Sequence, residues 1–243
     1  MPRPPSYLIC ATPRSGSTLL CDALANTGLA GRPDEYFGPM HVERWDRAWR
    51  TRDEAEYLQH ALRAGTGANG VFGCKVMRVY WDHFIGHLRR ATGLEQAVPA
   101  RLVQAAFPGA RYIWITRRDK IRQAVSWSKF VQGAAWYWEK EEPQVVDNLE
   151  FRPDIIDDFI MQTALGEAAW QDFFASVGAV PHVVVYEDFI RHYQETVRST
   201  LGFLGVDPPK ALEESNRRLK KQADGLTEEW VSRYRSLKTD QAG

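Results

Sequence analysis

The pattern that most constrains this chain is an alternation of short apolar runs with longer segments of three- and four-residue periodicity. "SYLICAT" (6–12), "GVFGCKVM" (70–77), "RYIWIT" (111–116) and "HVVVYEDF" (182–189) are short, apolar and rich in β-branched or aromatic residues, and read as strands. Helical periodicity lies between them. It begins at Ser17 with Leu19, Leu20, Ala23 and Leu24 and stops at Gly28. It returns across 52–65, 79–91, 97–107, 119–138, 154–178, 190–205 and the tail "TEEWVSRYRSL", with "RPDEYFGPM" (32–40) and 139–153 as connections. Strands joined through helices need long crossovers, so the predicted sheet is mainly parallel and covered on both faces. The expected fold class is α/β: one domain over 1–243, with the 30–70 and 138–180 regions as helical insertions.

A chain of 243 residues suffices for one such domain with a full core. Lys plus Arg and Asp plus Glu each total 31, so the formal net charge is zero. That balance argues against a general nucleic-acid binder and leaves room for a local basic pocket. Cys10, Cys21 and Cys74 form no CxxC pair and read as small buried residues in a reducing compartment. No stretch approaches the ~18 apolar residues of a membrane span. The N-terminal run lacks the basic segment and long apolar core of a signal peptide, so the expected location is cytoplasmic.

The first strand runs into "ATPRSGSTLLCDAL" (11–24). In a strand–loop–helix unit the first helical N–H groups point outward and attract an anion. Gly16 allows close approach of the main chain, and Ser15, Ser17 and Thr18 add hydroxyl and amide donors. A nucleotide triphosphatase carries GxxxxGK[ST] here. In this chain Ala11 replaces the first glycine, Ser17 stands where the lysine belongs, and Arg14 supplies the cation instead. A capped helix after a strand has a similar composition, so the loop is weighed with two other segments. "ITRRDKIRQAVS" puts Arg117 and Arg118 at a strand end and Ser126 in the next helix, and "VVVYEDF" is followed by "LGFLGV".

With these three segments together the chain resembles the sulfotransferases, and most closely the bacterial trehalose 2-sulfotransferase family. The shared stretches are "SYLICATPRSGSTLLCDALANTG", "PDEYF", "RRDKIRQAVS" and "QADGLTEEWVSRYR", which span most of the chain. The resemblance implies a P-loop-like fold, 3′-phosphoadenosine-5′-phosphosulfate (PAPS) as co-substrate, and a carbohydrate acceptor, with trehalose 2-O-sulfation the leading choice. It assigns the 5′-phosphosulfate to Arg14, Ser15, Gly16, Ser17 and Thr18, and the 3′-phosphate to Ser126 with an arginine. Spacing in the wider superfamily selects Arg118, whereas the trehalose-family pattern selects Arg117. Lys220, Lys221 and Gln222 stand as a turn closing over the nucleotide, with a solvated basic turn as the alternative. A homodimer is expected from the family and from two aromatic-rich segments, "AWYWEK" and "AAWQDFFASV".

The acceptor hydroxyl must lose a proton as it attacks sulfur. Lys75 fits a lysine that, in cytosolic sulfotransferases, precedes the catalytic histidine by two residues, but Val76 and Met77 follow and that base is absent. The family resemblance assigns the role to Glu35, with Asp34 as the fallback. Tyr36 and Phe37 are expected to seat the sugar and partly desolvate the carboxylate. Arg14 also counters charge on the leaving phosphate. No metal is expected, since the donor has no terminal phosphate for Mg²⁺ to bridge. His83 and His87 have helical i,i+4 spacing but lack a third ligand, and read as helix-surface residues. Trp45, Trp49, Trp136 and Trp138 are candidates for carbohydrate stacking, though packing is the commoner use of tryptophan. The competing readings are a small-molecule kinase and a catalytically inactive nucleotide-binding module.

Overall fold

A computed structural model describes residues 6–133, 149–208 and 225–240. Its sheet has the order β2 (Phe72–Met77), β1 (Ser6–Ala11), β3 (Arg111–Thr116), β4 (His182–Val185), and every neighbouring pair is parallel. Ile9 is registered with Lys75 on one side and Ile113 on the other, so β1 is hydrogen-bonded along both edges. From β1 the chain goes out to the edge strand β2 and then back across to β3. That reversal opens a crevice beyond the carboxyl ends of the strands, the usual ligand position in such sheets.

The helices are α1 (Ser17–Asn26), α2 (Pro39–Trp49), α3 (Glu54–Gly65), α4 (Trp81–Thr92), α5 (Pro99–Ala106), α6 (Lys120–Val131), α7 (Pro153–Ser176), α8 (Tyr186–Arg191), α9 (Tyr193–Phe203) and α10 (Gly225–Asp240). A single 3-10 turn, Arg78–Tyr80, joins β2 to α4. The α/β class, the parallel sheet and the strand–loop–helix unit of the P-loop arrangement match the sequence expectation. Two local readings change. The fourth strand ends at Val185, and Tyr186 already begins α8, because Glu187 turns back to accept the N–H groups of Arg118 (2.9 Å) and Asp119 (3.2 Å). Helix α2 has no sequence forecast. Proline opens it, and none of its residues is fully buried, so its apolar signal is weak.

Period-two alternation divides the core between the sheet's faces. Leu8, Cys10, Cys74, Val76 and Tyr112 face Trp81, Phe84, Leu88, Phe107 and Trp170. Tyr7, Ile9, Ala11, Ile113 and Ile115 face Leu20, Leu24, Phe189 and Leu201. A third cluster joins α6, α7 and α10 through Val125, Ile156, Trp230 and Tyr234. All three cysteines are buried thiols, as expected. The aromatic segment of α7 is the core-packing helix its spacing predicts, since Trp170, Phe173 and Phe174 are buried, so these three rings lend no support to a dimer interface. The Trp170 indole also donates to the Ala11 carbonyl at 3.1 Å, pinning α7 over the end of β1. Trp136, Trp138, Lys220, Lys221 and Gln222 lie outside the described residues.

His87 corrects the expectation of a surface helix residue. It is 3% exposed and packs edge-on against Phe37 (5.4 Å) and Tyr57 (4.7 Å). Burial, followed by repulsion from Arg90, pulls its imidazolium down to about 4. The unfolded chain therefore takes up this proton near the ordinary histidine value, before the folded one does. Stability falls as pH drops from ~6.5 toward 4, by up to ~3 kcal/mol from this group. The expected outcome of chemical denaturation at pH 7 and pH 4.5 is a loss that shrinks in His87→Leu. An unchanged pH dependence in that variant would assign the acid sensitivity to other groups.

Candidate active site

After β1 the loop turns through two residues in the left-handed region, Arg14 (φ 61°) and Gly16 (φ 91°). Turns that interleave such residues gather successive N–H groups into an anion-accepting concavity. Gly16 is required there: a Cβ would lie 2.3 Å from Cδ2 of Tyr186. The same Tyr186 ring carries the Arg117 guanidinium 4.8 Å from its centroid. Gln123 is fully buried on α6 and fixes the loop from behind, donating to Thr12 Oγ1 (3.0 Å) and the Pro13 carbonyl (2.7 Å). Ser15 Oγ is buried without a hydrogen-bond partner among the described residues.

The side chains expected at two ends of a nucleotide meet at this loop. Arg14 Nε donates to Ser126 Oγ at 3.0 Å, and the Arg14 guanidinium lies over Phe130 at 5.4 Å. Arg117 Nη1 donates to the Arg14 carbonyl at 3.4 Å. Burial, then repulsion from Arg117, pulls Arg14 down to about 10, and burial also lowers Arg117. Two guanidinium groups crowded at low exposure are relieved by an anion between or beside them. Arg118 faces elsewhere. It is 57% exposed, and its Nη1 donates to Asp188 Oδ1 at 2.8 Å.

The second half of the site is the segment 31–38, held as an ordered loop against β2 and α3. Arg32 N–H donates to the Gly65 carbonyl (2.9 Å), Lys75 N–H to the Asp34 carbonyl (2.9 Å), and the Tyr36 hydroxyl to the Arg32 carbonyl (2.7 Å). Glu35 is buried in a small crevice with Phe37, Gly38, Lys75, Met77 and Tyr80. Gly38 makes room for it, since a Cβ there would stand 2.7 Å from Glu35 Oε1. Asp34 is exposed, and its carboxylate accepts the Glu35 N–H at 2.7 Å across the turn. Lys75 Nζ lies 2.9 Å from Glu35 Oε2 and 3.4 Å from Thr18 Oγ1, which connects the carboxylate to the first turn of α1.

Residues 6–237 match the family described as Stf0 sulphotransferase. The chain belongs to that family. This Stf0 sulphotransferase is 29% identical over 263 residues to "Trehalose 2-sulfotransferase" of Mycolicibacterium smegmatis, with 96% of this chain and 95% of the relative covered. It is 28% identical over 266 residues to the protein of the same name from Mycobacterium tuberculosis, covering 95% and 94%. Solved structures with distant likeness are the "Sulfotransferase Domain from the Synechococcus PCC 7002 Olefin Synthase" (20% identity, TM-score 0.43, 96% and 88% covered) and the "Sulfotransferase Domain from the Curacin Biosynthetic Pathway" (15%, 0.47, 95% and 97%).

In the Stf0 sulphotransferase fold described here, Arg14, Ser15, Gly16, Ser17, Thr18, Arg117 and Ser126 come together around one loop, and Glu35 lies beside it. Tyr36 and Phe37 are each 3% exposed and belong chiefly to the core. Tyr36 packs on Trp45 (5.6 Å) and Trp49 (6.2 Å), and those indoles stack on each other at 5.0 Å. Of the two rings, only Phe37 borders the crevice. The sequence reading assigned no role to Lys75, Tyr186 or Gln123. The available signal was a lysine in an otherwise apolar strand. Gly16→Ala is expected to weaken nucleotide binding by tenfold or more while the far-ultraviolet spectrum stays native, because the left-handed backbone and Tyr186 both oppose a methyl group (~1–3 kcal/mol). Calorimetry with the 3′,5′-bisphosphate nucleotide checks this; equal affinity for variant and parent would show that the loop is not the anion site.

Proposed function

We propose that this chain transfers the sulfuryl group of PAPS to a hydroxyl of a small carbohydrate, with trehalose at its 2-position the first acceptor to test. The observation that carries the reading is one buried carboxylate, Glu35, joined through Lys75 at 2.9 Å to the loop that holds Arg14. The name carried by two relatives over nearly the whole chain supports the choice of acceptor.

The donor supplies an activated sulfuryl group on a 5′-phosphate. The loop residues fit it chemically: an orphaned Ser15 hydroxyl, left-handed backbone, and two buried guanidinium groups suit an anion with several oxygens. Arg14 and the α1 N-terminus bind the 5′ end and neutralise the charge left on it as the S–O bond breaks. Arg117 and Ser126 hold the 3′-phosphate; the exposed pairing of Arg118 with Asp188 favours the Arg117 register. Glu35 accepts the acceptor's proton while the new O–S bond forms, leaving a sulfate ester and the 3′,5′-bisphosphate nucleotide. Guanidinium groups meet the phosphate charge directly, so no divalent ion is assigned a role. A kinase reading has no comparable support, since Ser17 occupies the position of the phosphate-binding lysine.

Glu35→Gln keeps shape and polarity and removes the proton acceptor. Transfer of labelled sulfate to trehalose is expected to fall roughly 10²–10⁴-fold with nucleotide affinity nearly unchanged. A rate close to the parent's on the best acceptor moves the base elsewhere, to Asp34 first. Arg117→Ala is expected to lose at least ~tenfold in affinity for the 3′,5′-bisphosphate nucleotide but little for AMP, whereas Arg118→Ala loses only a surface ion pair. The reverse ranking by calorimetry restores Arg118 to the 3′-phosphate.

A further inference from the structure

Lys75 links Glu35 to the first turn of α1 but is given no role of its own in the donor and acceptor assignments. It lies within β2 between Cys74 and Val76, on an apolar strand, and is only 5% exposed. An ammonium there loses most of its hydration and persists only with a partner. Burial disfavours its charge, but Glu35 together with Cys21 and Asp34 outweighs that penalty and the ammonium is held above the ordinary lysine range.

The ion pair is not what secures the loop. Main-chain bonds at Arg32 and Lys75, the Tyr36 hydroxyl and the Tyr57 hydroxyl on the Tyr36 carbonyl fasten segment 31–38 independently of the Lys75 side chain. Gly31 adds a further close fit, where a Cβ would stand 2.5 Å from the carbonyls of Gly65 and Val71. The ammonium itself touches two functional groups on different elements: the carboxylate of Glu35 and the hydroxyl of Thr18 in the first turn of α1.

We propose that Lys75 is a positioning residue for sulfuryl transfer: it keeps Glu35 ionised and directed into the crevice, and ties it through Thr18 to the donor loop. The proposal rests on Glu35 being the base. A buried carboxylate without a counter-charge favours its protonated form, which cannot accept a proton. The other titratable groups facing Glu35 are His41 of α2 (3.9 Å from Oε2), Tyr80 of the 3-10 turn, Cys21 of α1, Cys74 of β2 and the neighbouring Asp34.

The experiment is the pH profile of kcat/KM for transfer to trehalose in the full chain, with Glu35→Gln assayed alongside. In Lys75→Met the acid limb is expected to move up by one pH unit or more, so that at a fixed pH on that limb the rate falls at least ~tenfold. Lys75→Gln, which keeps a hydrogen-bond donor, gives the same shift and serves if the methionine variant does not fold. Lys75→Arg keeps the charge and returns the limb toward its original position. The shift must persist in a His41→Gln background, which separates it from imidazole titration. If Glu35→Gln is slow while both neutral variants keep the parent profile and lose only melting temperature, Lys75 is structural and the proposal is overturned. A raised KM for PAPS with an unmoved limb makes Lys75 a donor ligand and also overturns it. A Glu35→Gln enzyme at the parent rate overturns the base assignment itself, a distinct outcome.

Discussion

The site hangs from the carboxyl end of β1. That strand is paired in parallel on both edges and buried on both faces, so its last residue, Ala11, has little freedom of position. The Trp170 indole fixes the Ala11 carbonyl, and Gln123 fixes the next two residues. A loop beginning from so rigid a point can keep Arg14 and Gly16 in left-handed conformations that a freely moving chain rarely holds. The switch in strand order beside β1 leaves space at that point instead of a crossover helix.

Charges buried around this loop are arranged to be useful before any ligand arrives. Burial and then Arg117 disfavour the Arg14 cation, while Arg117 itself lies 3.7 Å from Glu187, so an anion bound beside Arg14 relieves a cost the fold already carries. Glu35 and Lys75 compensate each other, and that pair lies against the same first turn of α1. Preorganised groups of this kind need little rearrangement at the moment of transfer. Family membership and this geometry both support the proposed sulfuryl transfer. Each rests on different observations, one on residues 6–237 as a whole and the other on a few side chains.

Much of this was readable before any coordinates. Short apolar runs marked all four strands, and β3 matches its forecast at both ends because β-branched and aromatic residues fill it. The long α7 pattern likewise survives, since its aromatic spacing reflects real core contacts. What failed was local. "YEDF" reads as an extension of a strand, but long-range bonds from Glu187 to the backbone of Arg118 and Asp119 accompany the turn into α8. His87 reads as surface because the His83–His87 pair lacks a third metal ligand, whereas aromatic packing from α3 and the 31–38 loop buries it. Tyr36 and Phe37 carry the same lesson, since a loop residue's exposure depends on what packs over the loop.

The sequence by itself determined the parallel α/β class, the strand–loop–helix unit with its candidate anion loop at residues 14–18, the lack of a phosphate-binding lysine there, and a carboxylate in "PDEYF". These follow from residue type and short spacing, which local sterics and hydrogen bonding translate directly into structure. Only the tertiary structure decided that Arg117 rather than Arg118 turns toward the loop, that Ser126 meets Arg14, and that Lys75 meets both Glu35 and Thr18. Those contacts join residues separated by 40 to 112 positions, and the direction of a side chain across such a gap is set by sheet register and helix packing. Adjacent arginines have the same local sequence, and their environments diverge only when α8 packs beside them.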